Sequence, residues 1–417
     1  MTSILTYLMR PNRAQLAAGN LVFCALAAGS APLIGSGIAV LVAISAGWAI
    51  LLLAGRRLTL PEDRPIRMAS LLFALYFLAE VISGLVNAPD RDTLTEVAEN
   101  LVFLAPLPLF ALLKADRAAM ARVLPLASSA GSLAALAIAM TGLYGFDGQR
   151  LSLTCGNPGV LAVVASVMFG LSLTGIGKAP TAGMRAAHLA GAAAAAALVI
   201  MTGMRAFWPV IGMLPVFVLL VMIPSRRIAL GASIGLIAVL AAGAFVAFHS
   251  LPMVQTRLQD TFSDIGKIEE GEMDNSIGLR LLMWRNGAAI VSESPLIGQG
   301  PGHVGERMGE RLSVDGKPLT FTHYHNFALT AAVRAGIPAA VLLTVAFFYL
   351  PFAAFSRYAK IGDRMALARA GSLTIPYLAS GLTGPMFGHD ILDSVYFALL
   401  PVLLYLQAGH SGGDQPS

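Results

Sequence analysis

The chain has 417 residues, of which 56% are hydrophobic and only 12% are charged, and its formal net charge is +5. Because a soluble globular domain carries about 25% charged residues, this composition excludes a soluble protein and indicates a membrane protein. The basic residues are scattered along the chain, which argues against a nucleic-acid partner. The two cysteines, Cys24 and Cys155, lie in different surroundings and predict neither a disulfide nor a Cys-based metal site.

Apolar segments long enough to cross a membrane recur along the chain. A span needs about 20 apolar residues, and this measure predicts an all-α polytopic membrane protein with about 12 transmembrane helices. They are expected at 15–33, 35–55, 67–87, 96–113, 119–141, 158–177, 186–203, 206–223, 228–249, 337–356, 366–386 and 391–408. Three regions follow: nine spans over 1–249, a large loop over 250–323, and a last part over 324–417 with three more spans.

The basic residues also predict an orientation. One alternating set of connections holds most of the Lys and Arg residues, beginning with Arg10 and Arg13, whereas the short connections of the other set hold only Arg91, Arg150 and Arg205. Lys and Arg favour the cytoplasmic side in short loops. We therefore expect both termini in the cytoplasm and the large loop on the outer side.

The sequence contains no P-loop, no glycine fingerprint for a nucleotide and no soluble cytoplasmic domain. A reaction driven by a bound nucleotide is therefore not expected. Any chemistry should need no cofactor and should use a donor that is already activated and reachable from the membrane.

The segment that follows the loop is too long for one span. Residues 324–356 would form about 50 Å of helix, against a hydrocarbon core of about 30 Å. Pro338 predicts a kink or break near 334–338. We expect a short helix over 324–335 at the outer edge, which places Arg334 near the outer interface, where a charge costs less than at the bilayer centre.

Arg205 lies in the stretch M-T-G-M-R-A-F-W, in a tight connection between two predicted spans. It can be an arginine that reaches towards lipid headgroups. Alternatively, it is a fixed guanidinium for a phosphate, because its planar fork suits phosphate recognition.

A second polar feature lies in the large loop. Apolar residues such as Leu279, Met283 and Ile290 recur with helical spacing and predict an amphipathic helix around 279–292. Arg280 shares another face of this helix with Trp284, either as a solvated residue or as part of a site. The following P-L-I-G-Q-G-P-G, residues 295–302, predicts a rigid turn that returns the chain to the bundle.

The stretch T-H-Y-H-N, residues 322–326, ends the loop. His325 and Gly336 are eleven residues apart, so they are expected on one face of the short helix, where glycine would allow a close approach. A neutral histidine can take a proton from a hydroxyl, although a satisfied interfacial histidine is the plainer alternative. His323 is interpreted as a neighbour at the membrane surface.

Acidic and histidine residues on the same side allow other readings. His303, His323 and His325 could hold a metal, but an H-x-H pattern is a weak signal, and we predict no metal site. Asp90 and Asp92 form a D-R-D pattern like the acidic pair of several metal-dependent glycosyltransferases, in a loop where acids are common anyway.

The stretch G-H-D-I-L-D, residues 388–393, precedes the last span. An aspartate there, Asp390 or Asp393, could orient His325 or pair with an arginine. It could equally begin the last helix, since aspartate is favoured at helix N-termini.

The ordered motifs T-G-x-R (202–205), R-x-x-x-W (280–284) with G-x-G-P-G (298–302), and H-N-x9-G (325–336) together resemble the O-antigen ligase family. The resemblance implies that His325 is the essential histidine and that Arg205 and Arg280 bind the diphosphate of an undecaprenyl-diphosphate donor. We add a supporting group to these three: Trp284, Asn326, Gly336, Asp390 and His323.

The resemblance implies an enzyme of the bacterial inner membrane that moves a glycan to the lipid A–core on the periplasmic side, without metal or nucleotide. The expected partners are therefore the lipid-linked glycan, the lipid A–core acceptor and membrane lipids. The short connection 144–157 favours a ligase over the related polymerases, which carry a second large loop. A polymerase, or a ligase that acts on protein, remains the alternative. A transporter is a third, for which Glu80 and Glu99 would be the mid-span charges.

Overall fold

The computed structural model describes residues 10–143, 150–250, 252–270, 272–314 and 316–408. The two chain ends expected in the cytoplasm, and much of the short connection 144–157, lie outside the described residues. What is described is helical apart from one two-stranded hairpin. The prediction of an all-α polytopic membrane protein is confirmed.

The first half of the chain is a series of helices joined by short turns. They are α1 Arg13–Gly29, α2 Ala31–Ile34, α3 Gly37–Ala54, α4 Arg64–Asn87, α5 Arg91–Glu99, a 3-10 segment Asn100–Leu104, α6 Pro106–Leu112, α7 Arg117–Met140, α8 Pro158–Ile176 and α9 Ala182–Met201. A further 3-10 turn, Leu153–Cys155, precedes α8.

The second half contains the loop and the last spans. Its elements are a 3-10 turn Arg205–Phe207, α10 Trp208–Met222, α11 Arg226–Ser250, α12 Pro252–Glu269, α13 Ser276–Glu293, α14 Val304–Gly309, β1 Ser313–Val314, β2 Lys317–Pro318, α15 Phe327–Ile361, α16 Arg364–Thr383 and α17 Asp390–Gln407. The two strands pair antiparallel.

Within these described ranges, ten helical segments are long and apolar enough to cross a membrane by length and composition. The other two predicted spans are also helices. Of these, α1 has 17 residues, and α16 carries Arg364 and Arg369 together with several Ser, Thr and Gly residues, which lower its apolar character.

The centre of the bundle is formed by α8 and α17. In each of these helices, 83% of the residues in the apolar 18-residue stretch are buried. Around them the helices approach closely through small residues. A Cβ on Gly131 of α7 would overlap the backbone of Gly29 in α1, as is common where membrane helices pack tightly. This frame supports the elements that hold the site, α13, α15 and α16.

The break predicted near 334–338 is confirmed, because Ala335 and Gly336 leave the helical conformation within α15. Gly336 has φ +84°, a conformation open to glycine, and a Cβ there would overlap the backbone of Leu296. The turn after α13 is therefore seated against the break. Its backbone N–H groups at Gln299 and Gly300 donate to the carbonyls of Val333 (2.7 Å) and Arg334 (3.1 Å).

The expectation that His325 and Gly336 share a helix face is wrong. The side chain of Asn326 accepts a hydrogen bond from the N–H of Leu329 (3.0 Å) and caps the helix, which begins at Phe327. His325 precedes this cap and has φ +49°. Asn326 thus starts the helix, and Gly336 marks the point where the helix breaks.

Candidate active site

His325 is partly buried, and one of its two ring nitrogens forms a hydrogen bond. Its Nδ1 is 3.1 Å from the carbonyl oxygen of Thr383, at the end of α16. A carbonyl can only accept a hydrogen bond, so Nδ1 carries the proton and Nε2 keeps its lone pair. Burial and then the charge of Arg280 lower the pKa of His325. The imidazole is therefore neutral near pH 7 and suited to accept a proton at Nε2.

The backbone of His325 is held in an uncommon conformation. A positive φ costs a non-glycine residue about 1–3 kcal/mol and persists only where the surroundings fix it. Here Trp284 of α13 donates from Nε1 to the carbonyl of Tyr324 (3.0 Å), and the Tyr324 hydroxyl donates to the Asn286 side chain (3.1 Å). The segment before His325 is thus tied to α13, one helical turn from Arg280.

A glycine makes room for this contact. A Cβ on Gly287 would lie 2.8 Å from the ring of Tyr324. Trp284, Asn286 and Gly287 therefore share the work of seating Tyr324 against α13. Trp284 therefore connects the helix that carries Arg280 to the residue directly before His325.

Arg280 is a half-buried cation that makes no hydrogen bond or ion pair with any residue of the described ranges. Burial, and then the charge of Arg205, lower its pKa, with Asp264 acting in the opposite direction. Its guanidinium donors are therefore available to an anion. The charge of Arg280 also acts on His325, so such an anion would lie near this histidine.

Arg205 points towards the loop helix α12. It donates to the hydroxyl of Thr261 (2.6 Å) and to the carbonyl of Arg257 (3.2 Å), and it pairs with Asp264 (3.3 Å). These bonds hold the guanidinium in one place. The structure thus brings Arg205, Arg280 and His325 into one region, as the motifs predict.

Two arginines that the motifs do not include extend this region. Arg257 pairs with Asp260 (3.3 Å), and Arg150 has only the sulfur of Met204 (4.0 Å) as a polar contact in the described part of the chain. Burial and then the charges of Arg257 and Arg205 lower the pKa of Arg150. Both arginines flank Gly203, where a Cβ would be 3.4 Å from the Arg150 side chain. The only signal in the sequence was that Arg150 belongs to the basic-poor set of connections.

We call these four residues the arginine cluster: Arg150, Arg205, Arg257 and Arg280. Two carboxylates, Asp260 and Asp264, lie among them. Four positive and two negative groups leave an excess of positive charge, which makes this cluster suited to an anionic ligand.

His323 packs on His325, with 4.5 Å between the ring centroids. It is half-buried, and burial, followed by the charges of His325 and His389, lowers its pKa to about 4. Its Nε2 has no hydrogen-bond partner among the described residues. It also lines a cavity of about 50 Å³ that Arg334 shares. His323 is therefore a neighbour of His325 whose Nε2 is enclosed by the protein.

Arg334 is buried at the break of α15 and is paired with carboxylates. It bonds to Glu80 of α4 (2.6 Å) and to Glu96 of α5 (3.0 Å). Glu80 also accepts from Tyr76 (2.7 Å) and Asn100 (2.5 Å). Glu80 is therefore a fixed partner in a buried network, which argues against its use as a mid-span charge on a transport path.

Asp90 and His303, two of the other candidate residues, are hydrogen-bonded to each other and to residues near them in the sequence. Asp90 caps α5 through the N–H of Thr93 (2.9 Å) and binds His303 (2.6 Å), which also contacts Glu306 (2.7 Å). Asp92 is an exposed residue of the first turn of α5. Over the described residues, no group of three or more His, Cys, Asp and Glu side chains could hold a metal ion.

Asp390 is the first residue of α17 and contacts the ring of His389 (3.1 Å). It does not orient His325, whose Nδ1 is bonded to the Thr383 carbonyl instead. The helix-start reading of Asp390 agrees with this position.

The region that contains these groups was compared with known families. Residues 190–344 match the O-antigen ligase family. The resemblance carried by the motifs is therefore confirmed, and the matched O-antigen ligase region contains Arg205, Arg280, His325 and Gly336. A search among curated proteins finds no match. The O-antigen ligase match supports a relation to enzymes of the ligase and polymerase type, and the apolar helices agree with a multi-pass membrane protein.

Proposed function

We propose that this protein transfers an O-antigen glycan from undecaprenyl diphosphate to the lipid A–core, at the periplasmic face of the bacterial inner membrane. The observation that carries the proposal is the pairing of two groups. His325 has a free Nε2 because its Nδ1 is bonded to Thr383, and Arg280, in electrostatic reach of His325, has no partner in the described chain. A base beside an unpaired cation suits a reaction that deprotonates a hydroxyl and releases an anion.

The arginine cluster is the proposed donor site. A phosphate joined on two sides carries one negative charge, so the donor diphosphate carries one on each phosphorus. This matches the excess left by the arginine cluster after Asp260 and Asp264 are counted. Arg205 and Arg280 provide planar forks for the phosphate oxygens, and the polyprenyl tail lies among the spans.

In the proposed reaction the acceptor hydroxyl approaches His325 and gives its proton to Nε2. The hydroxyl oxygen forms a bond to the anomeric carbon, and the bond from that carbon to the diphosphate oxygen breaks. The negative charge that develops on the departing undecaprenyl diphosphate is stabilised by fixed guanidinium groups in a poorly hydrated site. In-line attack inverts the anomeric centre. No step uses a metal or a cofactor.

The proposed orientation follows from the basic residues. The connections rich in Lys and Arg face the cytoplasm together with both termini, and the loop 250–323 faces the periplasm. The division into 1–249, 250–323 and 324–417 then has a functional meaning. The first part provides Arg205, the loop provides Arg280, and the last part provides His325.

Transfer by the purified protein tests the proposal. The protein is incubated with undecaprenyl-diphosphate glycan and rough lipopolysaccharide in the presence of EDTA, and glycan attached to the lipid A–core is measured. We expect product from the wild type and none from His325→Ala. Lengthening of the lipid-linked glycan alone would identify a polymerase, and glycan attached to protein would identify a protein ligase. Either result would replace the proposed acceptor.

A further inference from the structure

A large apolar groove lies beside the site, separate from the arginine cluster. Its volume is about 880 Å³, and it opens between α3, the run from α5 to α6, and the start of α17. Residues such as Val42, Ala46 and Ile50 form one wall, and Leu101 and Pro108 belong to the other. Its volume and apolar walls are those of a ligand pocket.

The groove has the depth of one leaflet. Its wall on α3 runs from Ala39 to Ile50, which is about 16 Å of helix. The hydrocarbon core is about 30 Å thick. Gly47 lies on this wall, and nothing is within 4 Å of the position of its missing Cβ. The groove can therefore accept a hydrocarbon chain that enters from one side of the membrane.

One end of the groove is acidic. Glu99, His389 and Asp390 line it there, and both carboxylates are exposed. Carboxylates repel phosphates but accept hydrogen bonds from hydroxyl groups. The diphosphate of the donor, which must lie at the reacting carbon, is therefore expected at the arginine cluster and not at this end, whereas the sugar hydroxyls of an acceptor suit it, with the acceptor's lipid phosphates turned away from the carboxylates.

A series of neighbouring groups links this groove to the donor site. Arg280 is in electrostatic reach of His325, whose ring packs on His323. His323 is in turn in electrostatic reach of His389, at the acidic end of the groove. His325 thus lies between a basic region and an acidic one, as the base of a two-substrate transferase should lie between donor phosphate and acceptor hydroxyl.

We propose that this groove binds a hydrocarbon chain of a lipid-linked acceptor and that Glu99 and Asp390 receive its sugar hydroxyls. The proposal rests on the proposed function and deepens it by assigning the acceptor its own site. The donor chain lies elsewhere, on the side of the arginine cluster.

Narrowing the groove tests this assignment. Gly47→Leu places a side chain in the groove, and its Cβ has no other atom within 4 Å. Gly19→Leu on α1 is the control, because Gly19 is equally open at its Cβ position but lies outside the groove. We expect Gly47→Leu to raise the KM for the lipid acceptor about tenfold, because it displaces methylene groups of the bound chain. The KM for the donor should not change. Gly47→Leu should transfer glycan to a core oligosaccharide without lipid chains as well as the wild type does. Gly19→Leu should have wild-type KM values for both substrates.

Two results would overturn the assignment. A raised KM for the donor would show that the groove holds the polyprenyl chain, and unchanged constants for both substrates would show that it holds only membrane lipid. An acceptor whose lipid phosphates have been removed should remain sensitive to Gly47→Leu, because the groove binds the chain.

A binding measurement separates this proposal from the proposed function. A glycolipid with a photoreactive acyl chain should cross-link to α3, less in Gly47→Leu than in Gly19→Leu. If the wild type cross-links in this way but transfers no glycan, the proposed function fails and the lipid site stands. Transfer without cross-linking to α3 would overturn the groove alone.

Discussion

The Nδ1 atom of His325 bonds to the carbonyl oxygen of Thr383 at 3.1 Å, and this contact decides which nitrogen can act as a base. Since Nδ1 must carry the proton, Nε2 is left with its lone pair. The contact joins the segment that leads into α15 to the end of α16. The ring of His325 is therefore oriented by a backbone carbonyl of the neighbouring helix and not by a carboxylate.

His325→Ala should abolish transfer and leave donor binding intact, because the side chain acts on the acceptor proton and not on the diphosphate. His249→Ala, at an exposed position of α11, is the control for loss of a histidine. Transfer rate and donor binding are measured on purified, folded protein. Wild-type transfer by His325→Ala would remove His325 from the mechanism.

The pH dependence of transfer should reflect the lowered pKa of His325. Burial and the charge of Arg280 favour the neutral ring, and only the neutral ring can accept a proton. Activity should therefore persist below pH 6.5, the usual pKa of histidine, and should fall as the pH drops through the lowered value. The rate is measured against pH at saturating donor and acceptor. A midpoint above 6.5 would contradict the assignment of His325 as the base.

Arg280→Lys should strongly reduce transfer although it keeps the positive charge, because lysine loses the planar fork that binds two phosphate oxygens. A loss of one charged hydrogen bond, about 1.5–3 kcal/mol, corresponds to a fall in kcat/KM of roughly ten- to more than a hundredfold. Arg285→Lys is a matched control, since Arg285 lies on the same helix and is exposed. Equal activity of the two variants would show that Arg280 contributes only charge.

Part of this site could be predicted from the sequence. The alternation of basic connections placed Arg205, Arg280 and His325 on one side of the membrane, and the motifs fixed their order. The helix-face argument for His325 and Gly336 failed because helical spacing cannot reveal where a helix begins, and the cap formed by Asn326 excludes His325 from it. Gly336 was correctly expected at a close approach, although the partner is the backbone of Leu296.

Other parts depend on contacts between distant segments. Arg150 approaches Arg257 only because α12 folds back on the connection that carries Gly203. Arg334 finds Glu80 across more than two hundred residues of sequence. Neither contact can be recognised from the sequence around its residues, because each depends on which helices become neighbours in the bundle.

Arg150→Gln should weaken donor binding and leave the acceptor unaffected. It removes one positive charge from the arginine cluster, where Arg150 forms no ion pair with a carboxylate of the described residues. We expect the KM for the donor to rise by about tenfold, the effect of one charge-assisted contact, and the effect to shrink at high salt. Arg91→Gln, at an exposed position of α5, is the control. An unchanged donor KM would exclude Arg150 from the diphosphate site.

Glu80→Gln should destabilise the protein and misplace His325, the proposed base. Removing one partner of a buried ion pair costs about 3–5 kcal/mol, because the other charge stays buried, and Glu96 can compensate for only part of this loss at Arg334. Arg334 also fixes the break of α15, since its carbonyl accepts from Gly300 and from Ser83 (2.7 Å). A shift of this residue therefore reaches the short helix that begins after His325.

The expected result is a lower melting temperature together with a reduced kcat, in protein that still binds donor. Glu62→Gln, at an exposed acid before α4, should change neither quantity. Replacing both Glu80 and Arg334 by neutral residues should recover part of the stability, because no uncompensated charge remains, but it should not recover kcat. Full recovery of kcat in the double variant would show that the pair stabilises the bundle without positioning His325.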